Sequence, residues 1–317
     1  MTDSSSENTS TEAASAAKKN QQQGLIAALC AFLLWGIFPL YFKLMAHIPV
    51  LEILANRIIW SLALVLIIIA FTGRFSHLFA ALKNRKVMMI FMASTTVIAL
   101  NWVTFVWAIS NDRILEASLG YYINPLVNVG LGMIFLGERL NRWQGIAIGL
   151  ATLAVIIMTI LMGTLPWVSL VLGFSFGFYG LLRKKVQAES VVGLTIETGL
   201  LFPLSIGYLL YLVSMGSLQG GTLDGAFYEF DTLLLLAGTG LVTAVPLILF
   251  SFGAQRLRLT TVGILQYVAP TLHAVWAIFI FDEEFSQAQL IAFSLIWIGL
   301  LIYTWDGLRP KKQKSGN

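Results

Sequence analysis

Apolar residues run through this 317-residue chain in long unbroken blocks, not in the alternation of a strand or the narrow stripe of a surface helix. Each block holds about 20 residues, the length a helix needs to cross a hydrocarbon core about 30 Å thick. Loop residues between the blocks divide them into ten predicted helices, at 24–45, 50–72, 87–110, 115–137, 142–162, 166–183, 193–214, 232–254, 260–281 and 287–306. The connections are mostly short, so consecutive helices are expected to run antiparallel. Pro39, Pro125, Pro203, Pro246 and Pro270 fall inside the blocks. Membrane helices accept such breaks where neighbours or cavity water satisfy the freed backbone groups. Residues 1–22, rich in Ser, Thr, Ala, Gln and Asn, carry no hydrophobic pattern and are expected to be a disordered tail. The first block is of full spanning length with no small-residue cleavage site, so it is not read as a signal peptide. Residues 308–317 form a short basic tail.

A weak internal repeat overlies this pattern. Glu52 and Glu197, Arg113 and Arg258, Tyr122 and Tyr267, Pro125 and Pro270, and Glu138 and Glu283 are each 145 positions apart. If each copy holds five spans, the second enters the bilayer from the opposite side, as in secondary transporters with a binding site between inverted halves. The expected fold is therefore all-α and integral to the membrane, with ten transmembrane helices as two inverted five-helix repeats, 24–162 and 166–307. The basic residues agree. Of 20 Lys and Arg, 17 fall on the side of the amino terminus, Lys43 and Arg113 fall on the other, and Arg57 lies within a span. That bias places both termini in the cytoplasm.

Composition narrows the classes further. At 57% hydrophobic and 11% charged, with mean hydropathy +0.81, the chain has too little polar surface for a water-soluble globule. A pI near 9.2 invites a nucleic-acid reading, but the basic residues sit in short loops where membrane orientation explains them. No nucleic-acid partner is expected. The lone Cys30 lies within the first span and leaves no intrachain disulfide or cysteine-rich metal site. No cofactor and no metal is expected.

Polar groups inside spans are costly to bury and so point to function. The second span carries Glu52, Asn56 and Arg57. Arg57 lies about two turns deep, roughly 10 Å along the helix. It needs a carboxylate, a carbonyl or an anionic ligand. Glu52 is a partner or a carrier of a coupling proton, or simply a residue at the outer headgroups. In the fourth span Tyr121, Asn124 and Asn128 fall at i, i+3 and i+7 and share one face. Gln266 and His273, in the ninth, are the repeat counterparts of Tyr121 and Asn128. These side chains either hydrogen-bond neighbouring helices or line a cavity. His273 is a proton-coupling candidate or a packing residue. Asn101, Trp102 and Trp107 in the third span, with Trp35 and Tyr41 in the first, divide between an interfacial belt and a cavity wall. The fifth and tenth spans are almost featureless and are expected at the periphery. Gly145 and Gly149 have the small-xxx-small spacing of a weak dimer contact. Glu138 and the run Asp282–Glu284 close the fourth and ninth spans and are expected to pair structurally.

Gly173-Phe174-Ser175-Phe176-Gly177 matches the G-x-S-x-G string of hydrolase nucleophile elbows, which need a tight strand-to-helix turn. Here the string lies within an apolar span. A Ser175–His273 dyad in an intramembrane serine hydrolase is the remote rival, and close helix approach is the simpler use of the glycines.

WGIFPLYFK (Trp35 to Lys43), ANRIIWS (Ala55 to Ser61) and the passage from LGYYINPL to FLGERL resemble the RarD branch of the EamA family, in the drug/metabolite transporter superfamily. The resemblance runs from about Gly24 to Gly307. It implies an inner-membrane permease with a central cavity and two peripheral helices. The expectation is a secondary transporter, not an enzyme, for amino acids, metabolites or amphiphilic drugs, working by alternating access with export favoured. An uncoupled facilitator or importer is the alternative. Arg57, Asn101, Tyr121, Asn124, Asn128, Gln266 and His273 are the expected solute-binding residues, with Glu52 as the coupling candidate. Its partners would be the solute, membrane lipid and a coupling proton, in a monomer or weak homodimer.

Overall fold

Helices fall on every one of the predicted blocks, and each follows from local chemistry. The computed structural model describes residues 3–136, 141–186, 188–218, 228–254, 256–257 and 265–308. Its elements are α1 (Asp3–Lys43), α2 (Val50–Thr72), α3 (Phe75–Lys83), α4 (Arg85–Ser110), α5 (Ile114–Leu136) and α6 (Arg142–Met162). They continue with α7 (Trp167–Lys185), α8 (Ser190–Ser214), α9 (Phe230–Ala254), α10 (Val268–Phe279) and α11 (Gln287–Leu308). Asn84 starts α4 by accepting from the N–H groups of Lys86 and Val87, and Asn141 forms a capping box with Gln144 at α6. Gly73 and Gly163 end α2 and α6 in the left-handed conformation, where a β-carbon would be strained. Among the described residues there is no strand, and seven helices are long and apolar enough to cross a membrane. Large apolar side chains cover the outside, such as Phe71 at 89% exposure and Leu204 at 74%. Such a surface suits acyl chains, not water.

Two elements depart from expectation. The helix α1 begins at Asp3, so the segment expected to be disordered continues the first helix. Its Ala, Glu, Lys and Gln residues are good helix formers, which outweighs the lack of an apolar face. The short α3 stands between two long helices where only a loop was expected. Nine residues are too few to span, yet Phe75, Phe79 and Leu82 are exposed on it beside Arg74, His77 and Lys83, the pattern of a helix lying at the interface. Glu138, Arg139 and Arg258 lie outside the described residues, as does the start of the ninth predicted span.

Packing runs mainly between the two halves of the chain, not within them. The helix α1 packs on α9 and α10, α2 on α8 and α9, α4 on α7 and α8, and α5 on α7 and α10. Exchanging the halves maps this set of pairings onto itself. α6 and α11 pack chiefly on each other, with smaller contacts to α5. Small residues permit the closest of these approaches. A β-carbon on Gly173 would stand 2.9 Å from Ile123 Cγ1, and one on Gly177 would stand 2.8 Å from Val127 Cγ1. The glycines of the G-x-S-x-G string thus seat α7 against α5. Gly145 and Gly149 meet nothing within 4 Å and lie on the outer side of α6.

Candidate functional site

Helices from both halves leave a chamber of about 130 Å³ between them. Phe32, Trp35 and Phe38 enter it from α1, Arg57 from α2, Asn101, Trp102 and Phe105 from α4, and Tyr121 from α5. From the other half come Phe176 and Tyr179 on α7, Thr243 and Phe250 on α9, Gln266, and Pro270 and His273 on α10. The walls are thus aromatic, with a few polar groups set among them, as in most small-molecule sites.

Arg57 is the one charged side chain among the described lining residues. It is 5% exposed. Its Nε donates to Thr243 Oγ1 at 2.7 Å, and its Cζ lies 4.5 Å from the Trp102 ring centroid and 5.6 Å from that of Phe42. These cation–π contacts replace part of the lost hydration. Its Nη1 is buried without a hydrogen-bond acceptor, and no carboxylate forms an ion pair with it among the described residues.

His273 has its place for a reason that begins in α1. Pro39 has no N–H, so the carbonyl of Trp35, four residues earlier, loses its helical donor. His273 Nε2 lies 3.0 Å from that carbonyl oxygen. A carbonyl only accepts, so Nε2 carries the proton and Nδ1 is left as an acceptor in the neutral ring. Nδ1 has no partner. Trp276 Nε1 donates to the next carbonyl, that of Gly36, at 2.8 Å. The proline break in α1 is therefore closed by two side chains of α10.

Asn101 donates to the Leu172 carbonyl at 3.1 Å and to Ser175 Oγ at 2.9 Å, and accepts from the Tyr121 hydroxyl at 3.2 Å. Tyr121 stands edge-on to Phe105, Phe176 and His273 with ring centroids 5.8–6.1 Å apart, and Phe105 lies tilted 5.6 Å from His273. Ser175 is bonded to Asn101 and Leu172, and His273 to Trp35, so the two do not form a dyad. Ser175 also lies within a regular helix, far from the tight turn that a nucleophile elbow requires.

Of the predicted residues, Arg57, Asn101, Tyr121, Gln266 and His273 line the chamber. Asn124, Asn128 and Glu52 do not. Asn124 is fully buried, donates to the Gly173 carbonyl at 3.1 Å, and accepts from Asn128 at 2.9 Å and from Gln266 at 3.3 Å. Close approach of α7 turned the asparagine stripe into a bridge between helices. Glu52 is buried near the start of α2, hydrogen-bonded to Tyr228, which also accepts from Asn56 at 3.0 Å. Tyr41 reaches the Leu235 carbonyl, and Trp107 stacks near Trp167 and Arg113, so neither is a wall residue.

A second buried polar group borders the chamber. Tyr179 lines the cavity and its hydroxyl donates to Glu197 Oε2 at 3.1 Å, while Ser94 donates to Oε1 at 2.8 Å. Arg183 completes the cluster at 4.0 Å from Glu197, its guanidinium over the Phe91 ring. Glu197 stood out in the sequence only as the repeat counterpart of Glu52. Its partners come from two other helices, α4 and α7, and could not be assigned from spacing.

An all-helical, multi-pass membrane protein with an aromatic chamber between two sets of helices is the class that this fold and site define. Residues 22–160 match the EamA-like transporter family. "Uncharacterized transporter YojE" of Bacillus subtilis is 42% identical over 303 residues, covering 93% of this chain and 98% of that protein. "Protein RarD" of Escherichia coli is 39% identical, covering 94% and 99%. "Chloramphenicol-sensitive protein RarD" of Pseudomonas aeruginosa is 31% identical, covering 92% and 97%. A solved crystal structure spans 92% of this chain and all of its own, with a TM-score of 0.59 at 17% identity, and shares the fold. The chain belongs to the RarD branch of the EamA-like transporter family.

Proposed function

We propose that the protein is a secondary transporter that moves small organic solutes across the cytoplasmic (inner) membrane by alternating access, in the export direction. Ten membrane helices would form two inverted repeats, 24–162 and 166–307, with both termini in the cytoplasm. What supports the topology is the one-sided distribution of Lys and Arg, together with helix pairings that survive exchange of the halves. The observation that carries the function is a buried guanidinium with an unfilled donor, facing an aromatic chamber that both halves build. Rocking of one half against the other would expose that chamber to each side in turn.

In this reading Arg57, Asn101, Tyr121, Gln266 and His273 contact the solute. Asn124 and Asn128 hold α5 to α7 and act on the solute through that geometry. Glu52 and its counterpart Glu197 are the candidate carriers of a coupling proton, both being buried carboxyls in spans. α6 and α11 would face lipid, with Gly145 and Gly149 open to acyl chains or to a second copy in a weak homodimer.

Reconstituted flux tests this. Proteoliposomes preloaded with a mixture of labelled organic acids and amino acids should release at least one compound faster than empty vesicles, and Arg57→Gln should abolish the excess. Release that responds to an imposed pH gradient supports proton coupling. Release indifferent to it favours a facilitator. If no compound is released while a cavity ligand still binds, the transport reading fails.

A further inference from the structure

We infer that the chamber selects aryl organic anions, meaning a flat aromatic body with one carboxylate and no ammonium group, over amino acids of the same size. The inference rests on the chamber being the solute site and goes further by fixing the charge of the solute.

Three observations lead there. First, the lining holds a cation without a counter-ion. Arg57 is 5% exposed, its Nη1 has no acceptor, and it makes no ion pair among the described residues. Burying an uncompensated charge is expensive, and a ligand carboxylate within reach of the guanidinium removes that cost. The buried acidic side chains of α2 and of α8, which packs on it, are engaged elsewhere: Glu52 with Tyr228, and Glu197 with Ser94, Tyr179 and Arg183.

Second, no Asp or Glu is among the described lining residues. An ammonium brought into the chamber would exchange full hydration for ring faces and a few neutral oxygens, beside a cation of its own sign. Amino acids would bring that penalty with them; a simple aryl acid does not.

Third, the other fully buried polar atom of the described lining that has no partner is an acceptor. His273 Nδ1 has no partner, and its Nε2 proton is committed to Trp35. A single neutral hydroxyl or N–H on the ring would match it. Phe105 and Tyr121, whose rings lie 5.6 and 6.1 Å from that of His273, supply edges and faces for the aromatic body.

The test uses the purified full chain in detergent with 4-hydroxybenzoate, tyrosine and tyramine as probes. Trp35 and Trp102 line the chamber, so quenching of tryptophan fluorescence reports occupancy. The expected result is saturable quenching by 4-hydroxybenzoate, at least tenfold weaker binding of tyrosine, and none of tyramine. Arg57→Gln should lose the response and Arg57→Lys should weaken it. The comparison of the three probes on the unaltered protein stands even if both variants misfold. Tyrosine or tyramine binding as tightly as 4-hydroxybenzoate would overturn the inference, as would silence from all three, or 4-hydroxybenzoate binding unchanged in a folded Arg57→Gln. Labelled 4-hydroxybenzoate in proteoliposomes separates this from the transport reading. Binding without flux defeats transport and leaves the inference intact, whereas flux of some other solute with no aryl-acid binding does the reverse.

Discussion

Thr243 Oγ1 accepts from Arg57 Nε at 2.7 Å and donates onward to the Thr239 carbonyl at 2.8 Å, so its single proton and one lone pair are both in use. This hydroxyl aims the guanidinium from α2 across to α9. Thr243→Val keeps the shape and removes the acceptor, leaving Nε unpaired in a buried site. Leaving such a donor unsatisfied costs about 1–3 kcal/mol. We expect Thr243→Val to lower the unfolding midpoint in detergent and to weaken aryl-acid quenching, and Thr243→Ser to restore both. Wild-type behaviour of Thr243→Val would mean that Arg57 is positioned by its ring contacts alone.

The Glu197 cluster predicts a graded series. Glu197 is 1% exposed and accepts from Ser94 and Tyr179 on two different helices. Glu197→Gln keeps an acceptor for at least one of them and should be well tolerated. Glu197→Ala strands the Tyr179 hydroxyl, leaves Ser94 only the Phe91 carbonyl at 3.1 Å, and frees Arg183, which is less buried and lies near the end of α7. A loss of about 1–3 kcal/mol is expected, read as a drop in thermal stability. Equal stability of the Ala and Gln variants would show that the cluster contributes little. Loss of pH-dependent flux in a stable Glu197→Gln would place the coupling proton here; loss in Glu52→Gln alone would place it on Glu52.

Helices were legible in the sequence because a membrane span is specified by little more than length and apolarity. Rare polar residues in those spans were legible for the same reason, and five of seven solute candidates reached the chamber wall. Facing was not legible. Phe32 is 3% exposed and Phe71 is 89% exposed, yet both are phenylalanines in apolar helices, and only the neighbouring helix distinguishes chamber, core and lipid. Asn124 had the correct spacing for a cavity stripe, but the glycines of α7 brought the Gly173 carbonyl within its reach. His273 was visible as the only span histidine; its tautomer depends on Pro39, more than 230 residues away, through the carbonyl of Trp35. The short α3 escaped notice because a nine-residue interfacial helix leaves no spanning block.

Glu283 carries a pH prediction. Its two carboxylate oxygens accept the N–H groups of Ile114 at 2.7 Å and Leu115 at 2.9 Å, closing the start of α5 from across the halves. Burial nonetheless pushes its carboxyl above the ordinary carboxylate range, and nearby Asp112 adds to this, while those N–H groups and Lys43 pull the other way. A carboxyl whose folded pKa is raised binds its proton more tightly when folded. Its contribution is complete below the unfolded pKa of about 4.3 and is lost as pH rises through the raised folded value. Relative to Glu283→Gln, wild-type protein should therefore lose stability as pH is raised from about 4 toward neutrality. Thermal melts at a series of pH values would show this as two curves that diverge. Parallel curves would show that the N–H groups hold the carboxylate charged throughout.

Gly120 gives the sharpest packing test. A β-carbon there would stand 2.7 Å from the Ser169 carbonyl oxygen and 3.0 Å from its Cα, both backbone atoms that cannot rotate aside. Alanine must therefore push α5 and α7 apart. Overpacking of this kind costs about 1–3 kcal/mol. Moving α7 also shifts Ser175 and Leu172, which hold Asn101, and Phe176, which faces Tyr121. Gly120→Ala should consequently lower stability and alter chamber binding together. Gly130→Ala, on the same helix with nothing within 4 Å, serves as the control. It should be neutral or slightly stabilising, since alanine is favoured over glycine in a helix by about 0.8–1 kcal/mol. If both substitutions behave alike, α5 and α7 are not in contact along this face, and the chamber wall that they share must be drawn differently.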